Sequence, residues 1–135
     1  MTNSFVTAIR QNDKDLGVPD WDHLREQLIQ QGSGSGDEIV LTGPNEALMI
    51  VSCAEPNNYY VIARQSDELG EKVLVDRTKG DEPITAPIAG LFDTYPRFAF
   101  VDQRTMLKAA EDFYRNGLRS PSLSWADPRD ILTQI

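Results

Sequence analysis

An α+β domain is the fold class this sequence predicts: an antiparallel β-sheet meander with two main helices packed on one face. Three observations predict it. Successive β-branched runs are separated by turns too short for crossover connections. Two segments carry apolar residues at helical spacing behind an acidic cap. The chain has 135 residues, 40% of them hydrophobic, enough to bury one core without disulfides or metals. It is therefore read as a single domain spanning 1–135.

Phe5-Val6-Thr7-Ala8-Ile9-Arg10 predicts a first strand, followed by a polar turn at Asn12-Asp13-Lys14-Asp15. Pro19-Asp20-Trp21-Asp22 predicts the start of a helix, its acids favouring the positive end of the helix dipole. Trp21, Leu24, Leu28 and Ile29 form its apolar face. Gly32-Ser33-Gly34-Ser35-Gly36 reads as a flexible loop. Strands are expected at Glu38–Thr42, Ala47–Ser52, Tyr59–Ala63 and Lys72–Asp76, with turns at Gly43-Pro44-Asn45, Glu55–Asn58 and Asp67–Gly70. Arg77 to Pro96 reads as a long loop, because Gly80, Pro83, Pro87, Gly90 and Pro96 punctuate it.

The last third is the most explicit. Phe98 and Phe100 predict a strand with an aromatic face, and Asp102 stands where a helix N-cap belongs. Met106, Leu107, Ala110, Phe113 and Tyr114 make one stripe on a helix from Gln103 to Asn116. Gly117 supplies a left-handed stop, Pro121 forbids continuation, and a short strand ends on Trp125. Core packing is the ordinary role for these aromatics.

The 21 acidic and 13 basic residues give a formal net charge of −8. That disfavours direct nucleic-acid binding, which needs clustered Lys and Arg, and suits a basic partner or simply confers solubility. A single cysteine, Cys53, excludes an internal disulfide and reads as a small buried hydrophobe. The start of the chain lacks a signal-peptide pattern, and no apolar run spans a bilayer, so the expectation is a cytoplasmic protein with no membrane partner.

Catalytic parts are scarce. His23 is the only histidine and lies far in sequence from Cys53. No second histidine or cysteine completes a zinc site, and Asp13/Asp15 and Asp20/Asp22 lack calcium-loop spacing. The glycine loop follows a helix and precedes a strand, the reverse of a phosphate cradle. No catalytic residue, cofactor or metal is assigned. The candidate partner-binding group is Tyr59, Tyr60, Asp67, Glu68, Glu71, Asp81, Glu82, Asp93 and Tyr95, with Phe92 close in sequence. Tyrosine rings offer anchor area and carboxylates steer a basic partner, although each acidic segment also reads as a plain hydrophilic turn.

The pattern Phe98-Ala99-Phe100-Val101, then Ala109-Ala110 and Phe113 on a helix, then Gly117-Leu118-Arg119-Ser120-Pro121 and Trp125, resembles the first-numbered immunity-protein family of bacterial polymorphic toxin systems. The match covers about thirty residues of the C-terminus; the N-terminal half agrees in layout only. The resemblance implies a small non-enzymatic protein that binds a cognate toxin domain, often a deaminase or nuclease, in a one-to-one complex and blocks its active site or substrate entry. It assigns no binding role to Phe113, Gly117 or Trp125. Two other readings stay open. One is a non-catalytic ligand-binding or regulatory domain, with the Arg77–Pro96 loop closing over a small molecule. The other is a carboxylate-dependent enzyme.

Overall fold

A computed structural model of the chain describes residues 4–31, 38–66, 70–88 and 91–132. Its centre is an antiparallel sheet of seven strands among the described residues. These are β1 (Ala8–Gln11), β2 (Lys14–Gly17), β3 (Glu38–Thr42), β4 (Leu48–Glu55), β5 (Asn58–Arg64), β6 (Lys72–Val75) and, from further along the chain, β9 (Ser124–Ala126). The spatial order is β2-β1-β3-β4-β5-β6-β9. Between β6 and β9 the chain forms a separate two-stranded ribbon, β7 (Pro83–Ile88) and β8 (Leu91–Pro96), and the long helix α2 (Gln103–Asn116). Helix α1 (Trp21–Ile29) joins β2 to β3, and α3 (Pro128–Leu132) follows β9. The predicted α+β class, with two main helices on one sheet face, is the observed one.

Strand alternation builds the two faces. Ile9, Ile39, Leu41, Met49, Val51, Cys53, Val61, Ala63 and Leu74 point to the side where α1 supplies Leu24 and Leu28 and α2 supplies Met106, Ala109, Ala110, Phe113 and Tyr114. The α2 stripe is almost completely removed from water, and Tyr114 donates its hydroxyl to the Pro19 carbonyl at 2.8 Å, tying α2 to the entry of α1. On the opposite face Ala54, Tyr60, Val73 and Val75 are covered by the ribbon, by a 3-10 turn at Arg97–Ala99 and by Ile131 of α3.

Helix α2 begins and ends where its sequence says. Asp102 accepts from the Thr105 amide at 2.8 Å, and Asn57, in the β4–β5 turn, accepts from the Gln103 amide at 2.8 Å. Two free amides of the first turn are thus satisfied. Gly117 takes φ 71°, and the Phe5 ring lies against it, edge-on to Phe113 at 6.1 Å between ring centroids.

The structure departs from the expectations at four points. Arg77–Pro96 is not irregular throughout, because Pro83–Ile88 and Leu91–Pro96 pair as the ribbon, while Arg77–Glu82 stays loop-like as expected. Pro83 lies opposite Pro96, and neither has an N–H, so that pair exchanges no ladder bond. Alternation then places Pro87 in the same non-bonded class, so the three prolines fit a ribbon without costing it a ladder bond. Second, Phe98–Val101 is a 3-10 turn and one isolated bridge, Val101 to Tyr59, rather than a strand. β6 pairs with β5 at Ile62 and Ala63, which leaves only the start of β5 open to the incoming chain. Third, Lys14 and Asp15 belong to the edge strand β2, whose polar residues suit a solvated edge. Fourth, α3 had no counterpart in the periodicity. Its start is local: Asp127 accepts from the Arg129 amide at 3.0 Å, and Pro128 occupies the first turn. The expected glycine loop at Gly32–Gly36 lies outside the described residues.

Candidate functional site

The junction between the ribbon and the uncovered face of the sheet gathers four of the nine residues singled out from sequence. Register explains the meeting. Ile84 lies opposite Tyr95 and Ala86 opposite Asp93, so these side chains share the ribbon face turned towards the sheet. Thr85 and Thr94 share the other face, their hydroxyls 2.7 Å apart. On the sheet, Tyr60 of β5 points the same way as Val73 of β6. Tyr60 and Tyr95 therefore meet at 4.9 Å between centroids with their planes tilted by 40°, and each also contacts the Phe100 ring.

Carboxylates border this aromatic group. The Tyr95 hydroxyl donates to Asp93 Oδ2 at 3.4 Å, a long bond, and Asp93 is exposed. Burial pushes the Tyr60 phenol well above its ordinary value, and the neighbouring Tyr95, Asp93 and Glu71 push it further the same way. Tyr95 is raised too, by burial first and then by Asp93. Both phenols stay neutral at physiological pH, so they act as hydrogen-bonding rings beside two carboxylates. Glu71 is half-buried on the strand approach to β6.

The other predicted residues are placed differently. Tyr59 is one position from Tyr60 and so points to the opposite, helical face, where it is 3% exposed and accepts from Gln103 Nε2 at 3.3 Å. It offers no ring to a partner. Tyr60 itself is only 8% exposed, so its contribution is to support Tyr95 rather than to be gripped. Asp81 and Glu82 are exposed at the base of the ribbon, with Glu82 3.8 Å from Arg97. Asp67, Glu68 and the side chain of Phe92 lie outside the described residues.

One neighbouring feature was missed from sequence. Val40, Ile50 and Ile62 are paired in register across β3, β4 and β5 and remain half-buried on the face that the ribbon leaves partly open. The signal was present as alternation: Ile39, Val51 and Val61 face the helices, so their neighbours must face away. Because both sets are apolar, each strand reads as one continuous run. Arg10 flanks the row, opposite Val40.

The groups with catalytic potential lie elsewhere. His23 is exposed at the start of α1, its Nδ1 2.9 Å from Asp20 Oδ1. Cys53 is buried, directs its Sγ at the Glu55 carbonyl at 3.3 Å, and has its thiol pushed up by burial, which disfavours a thiolate. Among the described residues, no three His, Cys, Asp or Glu side chains converge as a metal site. No helix among them is long and apolar enough to cross a membrane. No protein-family model matches the chain, and the search of curated proteins finds no match.

Proposed function

We propose that this protein is an inhibitor of the immunity type, which binds a basic toxin domain one-to-one and blocks its active site or its access to substrate. The observation that carries the reading is the convergence of Tyr95, Asp93 and Glu71 over Tyr60, beside a half-buried aliphatic row, on a chain of net charge −8. A partner that presents lysines and arginines around an active-site cleft meets carboxylates at the rim, while Tyr95 and the aliphatic row supply desolvated area. The acids speed encounter and the apolar centre slows dissociation. The C-terminal resemblance supports the same reading.

The proposal is tested by co-expression with the toxin domain encoded beside it, and by binding kinetics of the purified pair. The expected result is rescue of growth and a one-to-one complex. Asp93→Lys combined with Glu71→Lys should slow association by about tenfold or more at low salt, with little change in melting temperature. Absence of rescue and of a complex would refute the inhibitor. Rescue with unchanged kinetics in the double variant would move the interface elsewhere.

A further inference from the structure

The acidic junction holds charge that the fold itself does not match. Among the described residues, neither Asp93 nor Glu71 forms an ion pair. The cations nearest them in sequence and space are engaged elsewhere. Arg97 lies 3.8 Å from Glu82, while Lys72 and Arg129 lie 3.9 and 3.3 Å from Asp127.

Asp93 is also held in one orientation. Its Oδ1 accepts from the Thr94 amide at 2.9 Å, and its Oδ2 accepts from the hydroxyl of Tyr95, two residues along the same strand face, at 3.4 Å. An ionised carboxylate has about four lone-pair sites, so each oxygen keeps one for an incoming donor. Tyr60 and Phe100 pack against the Tyr95 ring, yet that ring is only half-buried, so part of its surface reaches solvent beside the carboxylate.

The ribbon also narrows how a partner can approach. Pro83, Thr85 and Pro87 on β7, and Phe92, Thr94 and Pro96 on β8, belong to the pairs that exchange no ladder bonds, so their main-chain groups point outwards. The prolines have no N–H, and the Thr94 N–H is held by Asp93. One outward N–H is left on each strand, at Thr85 and at Phe92, and an added strand finds no regular ladder on either edge. Contact with a partner therefore comes through side chains.

We infer that the partner places an arginine at this point, its guanidinium forked onto both oxygens of Asp93 and lying against Tyr95, with Glu71 adding to the field. A guanidinium is planar, presents paired N–H groups that match a carboxylate, and stacks on aromatic rings. An ammonium is a compact point donor that satisfies one oxygen and leaves the ring unused. The identity of the partner rests on the inhibitor reading, whereas the preference for arginine over lysine rests on Asp93 and Tyr95 alone.

The experiment has two arms. In the first, the Thr94 amide of the full chain is followed by 1H–15N NMR during titration with N-acetyl-arginine amide and, separately, N-acetyl-lysine amide at matched ionic strength. The arginine probe should shift the signal saturably, and the lysine probe should bind at least about threefold more weakly. Asp93→Asn and Tyr95→Leu should each remove that preference, with Asp93→Asn melting near the parent. In the second arm, arginines of the toxin domain encoded beside this protein are changed to lysine one at a time. One of them should weaken the complex by about tenfold or more, and its loss should not add to that of Asp93→Asn. Equal response to the two probes, or a preference that survives in both variants, would overturn the inference. So would a stable complex in which no arginine couples to Asp93, an outcome that leaves the inhibitor reading intact. Discrimination by the free chain with no toxin complex would refute the inhibitor and keep the arginine site, so the two failures are told apart.

Discussion

The two faces of the sheet are built by different means. On the helical face, Met106, Ala109, Ala110, Phe113 and Tyr114 present one unbroken stripe to strands whose inward residues are fully buried. On the ribbon face the cover is assembled from pieces: two short strands, a 3-10 turn and a five-residue helix, with Tyr95 left half-buried at their margin and Tyr60 and Phe98 8% and 7% exposed. The first face carries stability, and the second leaves polar and aromatic groups within reach of solvent. A domain that presents a binding surface on the patchwork side can alter that surface without disturbing the continuous core.

The largest expected effect tests this division directly. Phe113→Ala removes a ring that is 0% exposed and packed edge-on to Phe5, and should cost about 3–5 kcal/mol by chemical denaturation. Phe98→Ala, at the margin of the ribbon face with the Arg77 guanidinium 5.2 Å from its ring centroid, should stay near the transfer value of about 2–3 kcal/mol. Equal or inverted costs would mean that the ribbon side is as much a structural core as the helical side.

The same contrast explains what could be read from the chain. Helix α2 was legible to its ends because its signals are local: an aspartate cap, a stripe at helical spacing and a glycine in the left-handed region, all within sixteen residues. The meander was legible because each turn joins neighbours in sequence. The ribbon was not, since prolines argue against strands until the register shows that they fall in pairs that exchange no bonds. Nor was the Val101–Tyr59 bridge, which depends on where β6 leaves the edge of β5 free. At the site, acids and tyrosines were identifiable by type, but strand parity decided that Tyr60 joins Tyr95 while Tyr59 turns away.

A smaller effect sharpens the comparison through pH. The folded state raises the Tyr60 and Tyr95 phenols, chiefly by burial, and so favours their neutral forms. Unfolded tyrosine titrates near about 10. Below that pH both states hold the proton and the stabilisation is fully present. Above it the unfolded chain releases protons first, so stability falls as pH rises towards the folded values. Tyr60 contributes a slope of up to about 1.4 kcal/mol per pH unit, and the more exposed, solvent-screened Tyr95 contributes less. Tyr60→Phe should remove one tyrosine's share of the alkaline slope, as read from urea midpoints between pH 9 and 11. An unchanged slope would mean that the phenol is hydrated in the folded state and that the junction is more open than its contacts imply.

The smallest effect belongs to the helical face and runs at the other end of the pH scale. Asp102 is held below the usual carboxylate range, first by its hydrogen bond from the Thr105 amide and then by the charges of Lys79 and Arg104. Its stabilisation is present above the ordinary aspartate pKa and is lost as pH falls through the lower folded value. Asp102→Ala should cost about 1 kcal/mol at neutral pH, a typical N-cap loss. The difference from the parent should shrink in acid, where the parent's carboxylate is protonated as well. Because Asn57 also caps this helix from the β4–β5 turn, the loss should fall short of unravelling its first turn. A penalty much above 2 kcal/mol would show that Asp102 alone holds the start of α2, and with it the packing of the continuous face.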